Sequence, residues 1–265
     1  MTVARLATAP PSPPLRTAVR SLFDNARSAV FFFAPDGTIF DATAGEETEA
    51  SVAETVSLLA RLIAACDGAV AVLAEPPFAE IDRRLAPLRL PGGAGGGAEL
   101  RGFDGEEACV RRQGDLDPVR CLLARPGAVP TEVEIRDEGT SIVLKHGDHP
   151  DLVTAARVAA REAVALAPAV YAMRAGAGLT RIGFAGASLG RAMRRLMNDT
   201  TPIERIPVVF GSGPGADELH ATARAFGGTS IEVGGRADHA ADFALPGTND
   251  VRWLIRDLLA ELGEA

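Results

Sequence analysis

Apolar runs separated by short polar loops set the rhythm of this chain. Ala29–Phe33 is a continuous apolar run, Ala-Val-Phe-Phe-Phe, the pattern of a strand buried on both faces of a parallel sheet. Residues 51–66 place Val52, Val56, Leu59 and Ile63 on one face and end at Asp67-Gly68, which predicts an amphipathic helix closed by a glycine stop. Residues 68–73 then predict a second parallel strand, and residues 78–86 a second helix stopped by Pro87. Upstream, residues 1–14 read as a flexible Pro-rich tail and 18–26 as a helix.

The glycine-rich stretch Pro91-Gly-Gly-Ala-Gly-Gly-Gly-Ala98 reads as a hinge between domains. Beyond it, residues 107–112, 118–124, 131–136 and 140–146 predict short strands. Residues 151–165 predict a helix with an apolar stripe at Leu152, Ala155, Val158 and Ala159. Strands grouped with a helix, without a βαβ alternation, indicate an α+β insertion. After the turn glycines Gly176 and Gly178 the alternation resumes: a helix at 190–197, a buried strand at 207–210, a Gly-rich loop at 211–215, a helix at 216–226, a strand at 229–233 and a closing helix at 250–262. The fold class expected is α/β. A doubly wound parallel core would comprise residues 1–97 and 185–265, with residues 98–184 inserted as an α+β unit.

Composition narrows the function classes. A net charge of −8 over 265 residues leaves no basic surface to displace the counterions of a nucleic acid. The three cysteines, Cys66, Cys109 and Cys121, lack metal-ligand spacing and cannot all pair, which points to a reducing, cytoplasmic setting. No stretch approaches the roughly 18 apolar residues of a membrane span, and the N-terminal residues lack the apolar run of a signal peptide. Neither a nucleic-acid nor a membrane partner is expected.

In an open parallel sheet the ligand crevice lies beyond the carboxyl ends of the strands, so the loops after Phe33, Leu73 and Phe210 should converge. The first reads Phe31-Phe-Phe-Ala34-Pro-Asp36-Gly37-Thr38. It resembles the first motif of haloacid-dehalogenase (HAD) phosphatases, an apolar strand followed by D-x-D-G-T, with Ala34 at the position of the nucleophile. The order of the later segments resembles that of trehalose-6-phosphate phosphatases within this superfamily, from about residue 20 onward. The resemblance implies a Rossmann-like core with an α+β cap of the C2 type, and it implies chemistry in which the first Asp attacks phosphorus and the second serves as acid and base.

The resemblance extends to three further loops, each altered. Where the family has a phosphate-holding Ser or Thr, this chain has Leu73-Ala74-Glu75-Pro76. The family's Lys-Gly helix start corresponds to Leu189-Gly190-Arg191, with Arg191 and Arg194 as substitute cations. Its G-D-D-x-T-D-E metal motif corresponds to Gly211-Ser212-Gly213-Pro214-Gly215-Ala216-Asp217-Glu218. In the inserted unit, Val133-Glu134 and the segment ending at His146 resemble the family's V-E-x-K and H-Y-R segments, with Gly147 and Asp148 at the Tyr and Arg positions.

The candidate site that follows has Asp36 as a vestigial acid/base, with Gly37, Thr38, Ser212 and Gly213 as phosphate-binding positions and Asp217 and Glu218 as metal ligands. Mg²⁺ is implied only if activity is retained. The expected function is a catalytically degenerate trehalose-phosphatase-like protein that binds a sugar phosphate or regulates a partner such as a trehalose-phosphate synthase. The alternative is a slow Mg²⁺-dependent phosphatase acting on trehalose 6-phosphate or a related sugar phosphate.

Three other signals call for weighing. The Gly211 to Ala216 loop, followed by Glu232 about 20 residues on, matches the dinucleotide-binding fingerprint. That fingerprint ordinarily opens a domain, whereas here it comes late, which leaves anion binding by the loop as the weaker implication. His146, Asp148, His149 and Asp151 read as an exposed turn rather than a metal site. His220 and His239 read as surface residues.

Overall fold

The computed structural model describes residues 28–41, 48–109, 113–176, 178–200, 205–213, 215–234 and 241–263. The expected Pro-rich tail, the 18–26 helix and His239 lie outside the described residues. Strand β1 (Ala29–Phe33) is buried along its whole length. It is followed by α1 (Glu49–Ala65), whose first turn is capped by the Thr48 hydroxyl accepting from the Ser51 N–H at 3.2 Å. Then come β2 (Val70–Leu73), α2 (Phe78–Leu85) and β3 (Gly92–Ala94). After β4 (Glu99–Arg101) and β5 (Glu107–Cys109) the chain forms a second unit of α3 (Asp117–Leu123), β6 (Glu134–Asp137), β7 (Ile142–Lys145), α4 (Pro150–Ala165), β8 (Tyr171–Gly176) and β9 (Leu179–Phe184). It returns through α5 (Leu189–Arg195), β10 (Ile206–Gly211), α6 (Ala216–Ala225), β11 (Thr229–Val233), β12 (Phe243–Leu245) and α7 (Thr248–Glu261).

Two sheets result. The large one has the order β12-β11-β10-β1-β2-β3-β4-β5, and the smaller one β6-β7-β9-β8. From β12 to β3 all pairings are parallel, whereas β4 and β5 add antiparallel. Phe33 is in register with both Phe210 and Val72, and its ring stacks on that of Phe210 with centroids 4.7 Å apart. Such a pair contributes about 0.5–1.5 kcal/mol beyond its burial. The register also brings the loops after β1, β2 and β10 to one edge. Among the described residues, no helix is long and apolar enough to cross a membrane.

The small sheet has a core of its own. Ile142, Leu144, Tyr171, Ile182 and Phe184 pack against Ala156, Ala159, Ala160 and Ala163 of α4, and the alanine face lets the helix lie close to the strands. Residues 118–124, expected as a strand, are helix α3 instead. Val119, Leu122 and Leu123 are its buried residues, spaced for a helix, and Pro118 sits in its first turn. Strands β8 and β9, joined across Gly176 and Gly178, and strand β12 were not predicted from the sequence.

The glycine stretch at 91–98 is not a free hinge. Gly92 and Gly93 pair with Val72 and Leu73 in β3, and Gly95, Gly96 and Gly97 form a buried turn. Strand β4, where the sequence predicts none, and strand β5, expected in the insertion, extend the large sheet. Arg101 fixes them there: its buried guanidinium donates to Asp82 of α2 and to Glu107 of β5, each at 2.8 Å, and lies over the Phe78 ring. The glycines are needed for close approach, since a Cβ on Gly97 would stand 2.2 Å from the Ser188 carbonyl oxygen at a φ of +89°. Gly97→Ala is therefore expected to cost about 2 kcal/mol or more and to lower the Tm by roughly 5 °C in a calorimetric scan. An unchanged Tm would return the segment to the role of a hinge.

Candidate functional site

At the edge where β1, β2 and β10 end there is a cavity of about 170 Å³, lined by Ala34, Asp36, Leu73, Glu75, Leu189 and Ser212 among others. Ligand pockets ordinarily span about 300–1,000 Å³, so this one is small. Its walls are apolar where a phosphoryl group would need cations and hydroxyls. Leu73 closes β2, and Leu189, 8 % exposed, opens α5. Ala34 continues β1 and donates its N–H to the Phe210 carbonyl at 2.9 Å.

The turn after Ala34 satisfies its own polar groups. The Gly37 N–H donates to the Phe40 carbonyl at 2.7 Å at a φ of +79°, a conformation glycine adopts without strain. Thr38 is fully buried, and its hydroxyl donates to the Ala34 carbonyl. Asp36 accepts from the Arg84 guanidinium at 2.6 Å, and Arg84 lies over the Phe40 ring at 4.2 Å. With its carboxylate 47 % exposed, this pair contributes at most about 1 kcal/mol. Asp36 also lines a larger cavity of about 990 Å³ between α1 and α2, floored by Val52, Val56 and Leu88.

The second half of the expected site is divided. Ser212 faces the small cavity, but the Gly213 N–H is turned away and donates to Glu232 at 3.1 Å. Asp217 and Glu218 begin α6 on its exposed side. Glu218 accepts from the Ser188 hydroxyl at 2.7 Å and packs where a Cβ on Gly190 would stand, 2.5 Å from its Cγ. Arg191 points its guanidinium at the Gly186 carbonyl, 3.1 Å away. Glu75 forms an ion pair with Arg181 of β9 at 3.3 Å. The carboxylates around the crevice are thus committed to separate partners. Among the described residues, no three His, Cys, Asp or Glu side chains gather as a metal-binding group. These residues do not fit a Mg²⁺ ion, which needs several oxygen ligands in one octahedron.

His220 is not a surface residue. It is fully buried in α6 and shares a hydrogen bond of 2.9 Å with Glu232 of β11, itself 1 % exposed. Because an ionised carboxylate only accepts, Nε2 is the donor, and Nδ1 is buried without a partner. Glu232 therefore anchors the loop after β10 from beneath and is not offered to a nucleotide ribose. The sequence carried a signal for this pair, a lone acid inside an apolar strand facing the stripe Ala216, Leu219, His220 and Ala223. His146 is likewise turned inward, 3.2 Å from the Thr180 hydroxyl. Cys66 cannot serve as a nucleophile: it is buried, and desolvation pushes its thiol up to about 11, with Arg205 opposing the shift.

A parallel-dominated sheet flanked by helices, with a crevice at its carboxyl edge and a separate antiparallel sheet beside it, defines an α/β fold with a cap-like second unit. The same architecture occurs in a HAD-superfamily phosphatase from Bacteroides thetaiotaomicron, which is 13% identical with a TM-score of 0.56 and covers 91% of this chain and 97% of its own. More particularly, the chain is similar to trehalose-6-phosphate phosphatases. It is 26% identical over 231 residues to trehalose-6-phosphate phosphatase of Escherichia coli strain K12, covering 84% of each chain. It shares its fold with the C-terminal domain of the C. albicans trehalose-6-phosphate phosphatase, with a TM-score of 0.74, 13% identity and 96% and 99% of the two chains covered. The C-terminal domain of the Candida albicans trehalose synthase regulatory protein is also similar, with a TM-score of 0.67, 12% identity and 89% and 97% covered. No family model matches the chain.

Proposed function

We propose that this chain is a catalytically degenerate, cytoplasmic relative of trehalose-6-phosphate phosphatase that acts by binding, as a regulatory partner of a sugar-phosphate enzyme such as a trehalose-phosphate synthase. One observation carries the reading: Ala34, Leu73 and Leu189 line the crevice, and the sequence resemblance sets them where the resembled enzymes keep a nucleophile, a hydroxyl and a lysine. A methyl group cannot form an aspartyl phosphate, and leucines neither hold nor neutralise one. The small volume of the crevice supports a role other than turnover. The likeness to a trehalose synthase regulatory protein supports regulation as that role, because a retained scaffold with an altered crevice suits a protein that is recognised rather than one that reacts.

The test incubates the protein with trehalose 6-phosphate and Mg²⁺ while phosphate release is followed. In parallel, the protein is passed over a sizing column with the trehalose-phosphate synthase of the same cell. The expected result is no release above buffer and co-elution with the synthase. Release at an enzyme-like rate of about 1 s⁻¹ or more, lost in Asp36→Asn, would overturn the reading.

A further inference from the structure

Glu75 stands where β2 delivers its loop to the crevice, yet its carboxylate points across to the cap. There it meets Arg181 of β9 at 3.3 Å. Arg181 is only 8 % exposed and also donates to Glu138, itself 5 % exposed, and to the Ser141 hydroxyl at 2.7 Å. The arrangement is repeated alongside. Arg136 of β6 pairs with Glu80 of α2 and lies 3.7 Å from Glu138. Arg174 of β8 donates to the Ala187 carbonyl, in the segment that returns to the core. Thr140 donates to Glu99 of β4 at 3.4 Å, and the same carboxylate accepts the Phe78 N–H at 2.8 Å.

The cap thus presents three guanidiniums, Arg136, Arg174 and Arg181, to an edge of the core that carries Glu75 and Glu80. Glu138, within the cap itself, lies between Arg136 and Arg181. The buried turn Gly95–Gly97 is squeezed between the two units: a Cβ on Gly96 would stand 2.8 Å from the Arg174 guanidinium and 3.2 Å from the Glu75 carboxylate. The buried Arg181–Glu138 pair is weakly screened, and Glu75, 42 % exposed, adds its charge to that pair from the core side.

We propose that Glu75 is a latch that holds the cap against the crevice edge of the core through Arg181. This rests on the reading of the crevice as non-catalytic, since a turnover site must open for substrate and product. Glu75 is the one latch group that belongs to the crevice itself. Its place at the end of β2 links the substitution in that loop to the posture of the cap.

Hydrogen exchange on the intact protein tests the latch. Wild type is compared with Glu75→Gln, which keeps size and removes charge, and with Glu134→Gln, which removes the exposed pair between Glu134 and Lys145 within the cap. In Glu75→Gln, peptides covering residues 92–98 and 185–189, which lie between the units, are expected to exchange about threefold faster. Peptides covering β1 and β10 should be unchanged, and Glu134→Gln should match wild type throughout. Unchanged exchange at 92–98 in Glu75→Gln would overturn the proposal. So would an equal rise in β1 and β10, which would signal general loss of stability, or the same rise in Glu134→Gln. Failure here leaves the phosphate-release result standing, whereas turnover by wild type would defeat the functional reading whatever the exchange pattern.

Discussion

Glu232→Ala is expected to lower the unfolding free energy by about 3–5 kcal/mol, read from urea unfolding curves. The carboxylate is 1 % exposed and accepts from two donors on different elements, the Gly213 N–H at 3.1 Å and His220 Nε2 at 2.9 Å. Truncation leaves both donors without a partner, at a cost of about 1–3 kcal/mol for each one that stays buried. It also empties the space between β11 and α6. Glu232→Gln separates the two contributions. The amide fills the space, but its single oxygen can satisfy only one donor and its NH₂ meets the other, so an intermediate loss is expected. Arg84→Ala, which breaks the half-exposed pair with Asp36, should cost no more than about 1 kcal/mol of pair energy. If Glu232→Ala fell within that same 1 kcal/mol, the buried pair would not be the anchor of the loop after β10.

The contrast between these two acids shows how much of the molecule was legible in its sequence. The apolar run of β1 and the stripes of α1 and α6 carry their own period, so the parallel core could be read locally. The convergence of the loops after Phe33, Leu73 and Phe210 could also be read, because strand ends meet by topology wherever a parallel sheet forms. Residues 118–124 misled because a short apolar stretch has no decisive period, and helix α3 is settled by what its Val119, Leu122 and Leu123 pack against. Strand β8, Tyr-Ala-Met-Arg-Ala-Gly, has no β-branched residue and takes its form from pairing with β9. The glycines at 92–97 suggest freedom of the chain when read locally, whereas in the fold they serve close contact. Partnerships such as Glu80 with Arg136, 56 residues apart, leave no local trace.

Restoring the missing carboxylate with Ala34→Asp should yield no phosphate release from trehalose 6-phosphate above that of wild type, together with a measurable loss of stability. The new side chain would face Leu73 and Leu189 in the same small cavity as Asp36 and Glu75. Desolvation and like charge both favour its protonated form, and a protonated acid does not attack phosphorus. The nearby cations are committed: Arg84 to Asp36, Arg181 to Glu75 and Glu138, and Arg191 to the Gly186 carbonyl. General acid help from Asp36 would contribute about 10² to 10⁴, against an enhancement that reaches ~10²¹ for the slowest phosphate monoesters. Placing this polar group against Leu73 and Leu189 should cost about 1–3 kcal/mol, visible as a lower Tm. Phosphate release by Ala34→Asp at an enzyme-like rate would show that one side chain separates this crevice from catalysis, and that Leu73, Leu189 and Glu75 do not disable it. Silence from Ala34→Asp in a folded protein, with the lower Tm, would place the loss in the whole crevice.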